Sequence, residues 1–286
     1  IVQGFAISIG ALTLVFFQLV DAVTVLNQLK QFGLTSFEAK TMKGVYDRGQ
    51  PLLQLGFTLA TSLSLVIVPA IAKAVASQNA QEARNKAGFA LKVTFVTSLA
   101  ASLGLAVIIE PTNMMLFKDT RGSEVLAILG AAIFFGSLTL TSIAILQGVD
   151  KVNVTLLVVA FGLLVEIGTN VLFMALFGIY AGAIATVLGF AFMTACSLFF
   201  VHKQLQLFSK YEFRFFRIGG AVIGMMVIAF SWKTFAEAHF FTDGRLAATG
   251  TALSTVLFAV VFYFGLLLAS RVFTPSELVF IKSKGK

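Results

Sequence analysis

Long apolar stretches separated by short polar ones repeat along the whole chain, and their length selects the element that forms them. A helix rises about 1.5 Å per residue, so about 20 apolar residues cross the roughly 30 Å of hydrocarbon in a bilayer. By that measure the pattern predicts eight spanning helices, at 2–26, 51–72, 89–109, 125–148, 154–177, 180–201, 218–236 and 246–269. Membrane β-strands would instead alternate apolar and polar side chains over about ten residues. Nothing here alternates, and the expected fold class is an all-α membrane protein.

The polar stretches add detail. The connection 27–49 is long and charged, with Lys30, Glu38, Lys40, Lys43 and Asp47, and predicts a short helix at the outer surface. Pro51 then suits the first turn of the next span. Segment 74–87 (AVASQNAQEARNKA) has good helix formers and few large apolar residues, which predicts an exposed amphipathic connection. The basic and aromatic stretch 204–217 predicts an interfacial helix that separates the last two spans from the first six. The turn Phe177-Gly178-Ile179-Tyr180 is so short that the fifth and sixth spans must be antiparallel neighbours. The expected domains are 1–203, 204–217 and 218–286.

Composition agrees with a bilayer as the solvent: 58% of residues are hydrophobic and 12% charged, where soluble domains are about a quarter charged. The net charge of +8 does not imply nucleic acid, because the basic residues lie between apolar runs and suit a membrane surface better. If the first span runs outward from the cytoplasm, thirteen Lys and Arg fall on the cytoplasmic side and eight on the other, which places the C-terminus in the cytoplasm. The single cysteine, Cys196, reads as a packing residue and makes no intrachain disulfide. Because the chain begins at Ile1 inside an apolar run, a longer parent protein is expected.

Charges inside spans carry the chemistry. An ionised group at the bilayer centre costs about 2.5–3.5 kcal/mol on insertion scales, so Asp21 and Glu166 each need a partner, a cavity or a task. Glu166 and Asn170 are four apart and share a helix face. On the next helix Gly182-Ala183-Ile184-Ala185-Thr186 offers small side chains for close packing and a hydroxyl. With Asp21 these residues can form an oxygen-rich site for a hard cation such as Na+; equally, a protonated or amide-bonded Glu166 can simply hold helices together. Asp47 and Arg48, beside Gly49, read first as an interfacial pair anchoring a helix end. The sharper alternative is Arg48 in a cavity, its planar fork of donors on a phosphate. His202 and His239 fall at opposite expected faces and share no metal, while Trp232 and the Phe-rich runs read as lipid-facing. The sequence has no HExxH, GxSxG, P-loop or CxxC, so enzyme chemistry has no foothold.

The stretch Tyr46-Asp47-Arg48-Gly49-Gln50-Pro51-Leu52-Leu53-Gln54-Leu55-Gly56, continuing to Val68-Pro69-Ala70-Ile71-Ala72, and the later Phe177-Gly178-Ile179-Tyr180-Ala181-Gly182-Ala183 resemble, in the same order, the C-terminal lobe of lipid-linked oligosaccharide flippases. The whole chain resembles the C-terminal half of the MurJ-like lipid II flippases (YtgP/SpoVB type) of the multidrug/oligosaccharidyl-lipid/polysaccharide exporter superfamily. That resemblance implies a six-helix lobe plus two extra helices, and a partner N-terminal lobe across a cavity that opens alternately to the two sides of a bacterial plasma membrane. It implies a polyprenyl-diphosphate-linked substrate bound by Arg48 with Asp47 beside it, membrane lipids as surroundings, no nucleic acid, and no cofactor beyond a coupling ion. The ion, Na+ or a proton, would sit on Asp21, Glu166, Asn170, the Gly182 carbonyl and Thr186; Glu166 departs from relatives that carry an amide there. Two other functions stay open: a drug exporter of the same fold, which needs no phosphate-binding arginine, and a membrane glycosyltransferase, for which Asp119 and Glu124 are the only acids near a loop.

Overall fold

The computed structural model of the chain describes residues 2–31, 33–207, 214–240 and 244–273. Their regular elements are all helices: α1 (Val2–Gln31), α2 (Ser36–Asp47), α3 (Gly49–Ala76), α4 (Ala80–Phe117), α5 (Ser123–Gly148), α6 (Val152–Phe177), α7 (Ile179–Leu205), α8 (Phe215–His239) and α9 (Gly244–Ala269). Eight helical stretches are long and apolar enough to cross a membrane, with α2 and α3 counted together as Ser36–Ala76. Each expected span lies inside one of the long helices α1 and α3–α9.

Three connections differ from expectation, and in each the helices run further than apolar length alone requires. The short helix α2 exists, opened by a capping box in which Thr35 and Glu38 exchange hydrogen bonds. It does not lie apart from the following span. Arg48 keeps helical angles (φ −59°, ψ −25°), so α2 passes almost directly into α3, with Pro51 in the first turn. Segment 74–87 is exposed over most of its length, as expected, but it is not a connection apart from the spans. Its strong helix formers extend α3 to Ala76 and start α4 at Ala80, with a left-handed Gln78 and an N-capping Asn79 whose Oδ1 accepts from the Glu82 amide at 3.0 Å. Ala74, Ala83 and Ala87 are buried there. Of the expected interfacial helix 204–217, the ends belong to α7 and α8, with Gln206 and Arg214 left-handed at the two caps; 208–213 lie outside the described residues. Likewise α4 continues through Pro111 to Phe117, since membrane helices re-satisfy the carbonyl that a proline frees. Lys92, placed by the sequence among cytoplasmic charges, is fully buried on α4.

The chain forms two compact units, Ile1–Ser102 with Glu124–Tyr211, and Leu103–Ser123 with Glu212–Lys286. In the first, α6 and α7 form an antiparallel hairpin turned by Gly178, whose φ of 55° and ψ of −134° suit a residue without Cβ. α1 packs against α6 and α7, and α2 against α1 and α7. Interhelical hydroxyl bonds join Thr94 of α4 to Thr141 of α5 at 2.8 Å and Thr139 of α5 to Thr194 of α7 at 2.9 Å. Helices α3 and α5 approach through small residues: a Cβ on Gly56 would lie 2.6 Å from Ile133 Cγ2. Gly56→Ala is expected to lose about 1–3 kcal/mol through overpacking. A thermal-unfolding transition in detergent that does not fall would contradict this close approach.

In the second unit α8 and α9 pack together. Trp232, read from sequence as lipid-facing, is half-buried and also fastens this pair. Its ring lies 3.8 Å from that of Phe258 and its Nε1 donates to Ser254 Oγ at 3.1 Å. An indole N–H held away from water needs such an acceptor. Arg214 and Arg217 donate to the carbonyls of Arg271 and Ser270, capping the C-terminal end of α9 with positive charge.

Candidate functional site

In the first unit, α1 buries a stripe at four-residue spacing, Phe17, Asp21, Val25 and Leu29. The periodicity that hides the three apolar side chains also carries Asp21 inward. Opposite it, α6 turns Glu166 and Asn170 inward from one face, and α7 contributes Thr186; Asp21, Glu166, Asn170 and Thr186 are all at most 2% exposed. Glycines on α7 make the meeting possible. A Cβ on Gly182 would come 3.3 Å from the Tyr46 ring, and one on Gly189 would come 2.9 Å from Phe17 and 3.3 Å from Glu166 Cβ.

Tyr46, reaching in from α2, links the acids. Its hydroxyl donates to Asp21 Oδ2 at 2.7 Å and lies 3.0 Å from Thr186 Oγ1. Thr186 Oγ1 is in turn 3.3 Å from Glu166 Oε1 and 3.1 Å from the Gly182 carbonyl. Asn170, fully buried one turn from Glu166, donates to Thr24 Oγ1 of α1 at 3.4 Å. Below Asp21, one turn toward the start of α1, Phe17 stacks on Phe190 with centroids 4.1 Å apart, and Phe57 meets Phe190 edge-on. All five residues assigned to the ion site from the sequence are therefore neighbours. Tyr46 and Thr24 were not assigned a role there, because a phenol 25 positions from one partner and 140 from another leaves no spacing signal.

Three oxygens of the cluster, Asp21 Oδ1, Glu166 Oε2 and Asn170 Oδ1, are buried without a hydrogen-bond partner. Orphaned buried acceptors are costly, about 1–3 kcal/mol each and more for charged groups. Among the described residues no basic side chain bonds either carboxylate, and Lys43 is paired instead with Asp47. The donor set is all oxygen, and the described residues contain no group of three or more His, Cys, Asp and Glu able to hold a metal. Such a set fits a hard monovalent cation or a proton. A transition metal would favour nitrogen or sulfur ligands.

Arg48 and Asp47 stand outside this cluster, at the junction of α2 and α3. Asp47 is exposed and Arg48 half-buried, two residues beyond Tyr46. The acids considered for a transferase each serve local structure: Asp119 Oδ1 accepts from the Arg121 amide at 2.9 Å, and Glu124 accepts from the Tyr180 hydroxyl.

Comparison with known proteins agrees with this architecture. The family described as "Lipid II flippase MurJ" matches residues 9–243. An uncharacterized membrane protein of Bacillus subtilis (strain 168), YabM, is 33% identical over 272 residues, 95% of this chain and 51% of its own length. The chain thus spans about half of that curated relative. Among solved structures, a lipid II flippase MurJ in an inward closed conformation superposes with a TM-score of 0.68 at 17% identity, covering 90% of this chain and 52% of its own. An outward-facing MATE family multidrug resistance transporter superposes at 0.54 with 16% identity, covering 93% and 65%. At these identities the two structures speak for the fold alone. Match to the family over most of the chain, with a relative at 33% identity, establishes that this multi-pass helical membrane protein belongs to the MurJ lipid II flippase family, whose members are transporters and not enzymes.

Proposed function

We propose that this chain is half of an alternating-access flippase that moves a polyprenyl-diphosphate-linked cell-wall precursor, lipid II, across the bacterial plasma membrane under the control of a cation. The observation that carries the reading is the buried acid pair bridged by Tyr46 and Thr186 with three oxygens left over, within a chain of this family. A buried site holding two carboxylates is costly by several kcal/mol per ion unless a positive charge balances it. Na+ or a proton supplies that charge when bound. Asp21, Glu166 and Asn170 would hold it with their side-chain oxygens, and Thr186 and the Gly182 carbonyl would complete the set. A cation drawn from one side of the membrane then biases which packing of α1, α2, α6 and α7 is favoured.

Arg48 would meet the substrate. A diphosphate cannot cross hydrocarbon uncompensated, and guanidinium offers it two parallel charge-assisted hydrogen bonds. The polyprenyl chain stays in lipid, gaining about 0.8 kcal/mol per buried CH2. A second lobe facing Arg48 and a cytoplasmic C-terminus belong to the same reading. The test is a headgroup-exposure assay: the intact protein in proteoliposomes should bring lipid II headgroups from the inner to the outer leaflet, faster with a Na+ or proton gradient. Efflux of apolar cationic drugs with no headgroup exposure would replace the flippase with an exporter. Glycosyl turnover without transfer would replace it with an enzyme.

A further inference from the structure

Tyr46 belongs to two places at once. Its ring is fully buried in the space Gly182 leaves, 3.3 Å from where a Cβ would stand, and its hydroxyl touches Asp21 and Thr186. Its backbone is two residues from Arg48, in a helix that reaches the α2–α3 junction without a loop. A rigid phenol on a continuous helix transmits displacement, because packed interiors shift between discrete arrangements more readily than they deform. Proton counting shows that the contact is a choice and not a fixture. Thr186 has one hydroxyl hydrogen and three acceptors in reach, the Tyr46 oxygen, Glu166 Oε1 and the Gly182 carbonyl. Tyr46 has one hydrogen, now given to Asp21.

We propose that Tyr46 is a positioning residue, a strut that makes the placement of Arg48 depend on whether the acid cluster holds a cation. With its charge balanced, Asp21 draws less on the phenol, Thr186 can turn to Glu166 or to its own helix, and α2 is free to shift with Arg48 at its end. With the cluster bare, the phenol is the donor that Asp21 has, and α2 is held. The proposal rests on the cation reading given above and adds the link from that cation to the substrate residue.

The experiment is a spin-label distance measurement on the intact protein in nanodiscs, in a Cys196→Ala background, between Phe37→Cys on α2 and Leu164→Cys on α6. Both positions are well exposed. Na+ binding is measured in parallel by calorimetry, with choline as the control cation. Wild-type protein should bind Na+ and shift the α2–α6 distance by about 2 Å, the scale of helix displacements in switching proteins. Tyr46→Phe keeps the ring and the packing, so it should still bind Na+ while losing the shift. A purely structural role would lower the thermal transition of Tyr46→Phe yet leave the Na+-dependent shift in place, and that result overturns the proposal. So does a wild type that binds Na+ without moving α2, which would leave the cation site standing. Absence of Na+ binding in the wild type removes the cation reading and the strut with it.

Discussion

Asp21→Asn weakens Na+ binding at the cluster by on the order of a hundredfold and makes headgroup transfer insensitive to the Na+ gradient. Removing one member of a buried charge constellation typically costs about 3–5 kcal/mol, and each 1.4 kcal/mol is about tenfold in Kd. Asparagine preserves shape and an oxygen but carries no charge, so the protein folds and the loss falls on the ion. Glu166→Gln should behave alike, since its Oε2 is equally buried and unclaimed. Stability carries a sign too: without Na+, neither variant has to confine two carboxylates in a buried site, and their thermal transitions should equal or exceed that of the wild type. Calorimetric affinities of Asp21→Asn and wild type that agree within error would end the cation assignment. A large drop in the Na+-free transition would instead mark the acids as structural.

Arg48→Ala removes most transport at unchanged expression, on the order of a hundredfold, and Arg48→Lys removes about tenfold. Hydrogen bonds to charged groups contribute about 1.5–3 kcal/mol, and lysine keeps the charge while losing the planar pair of donors. The ordering Ala worse than Lys worse than Arg is the signature of bidentate anion binding. An arginine that only anchors a helix end predicts that lysine substitutes fully, because its long stem also reaches the headgroups. Complementation of flippase-depleted cells, at matched protein levels, separates the two. Equal growth with both variants would leave Arg48 as an anchor.

The spans were legible in the sequence because hydrocarbon thickness imposes a length that any apolar run must meet. Helix ends were not. Polar helix formers between Ala74 and Ala87 extend α3 and α4 as readily as they form a solvated connection, and only the left-handed Gln78 and the Asn79 cap decide where the break falls. Glu166 and Asn170 were legible as a pair since four residues bring side chains to one helix face. Asp21 was joined to them as the other acid within a span, a place the family resemblance also implied, and the structure brings it there through its i, i+4 stripe with Phe17 and Val25. Tyr46 was visible as a letter in a motif and invisible as a ligand partner. Its role depends on the packing of α2 against α1 and α7 and on the room left by Gly182, which no local pattern encodes.

The stacked rings of Phe17 and Phe190 wall off one side of the acid cluster. One turn from Asp21 along α1 and one turn from Thr186 along α7, two aromatic faces close the path at a centroid separation of 4.1 Å, and a hydrated ion has no passage between rings in van der Waals contact. An ion held at Asp21 therefore has no passage between these two rings for as long as α1 and α7 keep their places. Passage in that direction requires those two helices to part. On that side the barrier is set by the packing of the rings, independently of how tightly the acids hold their guest.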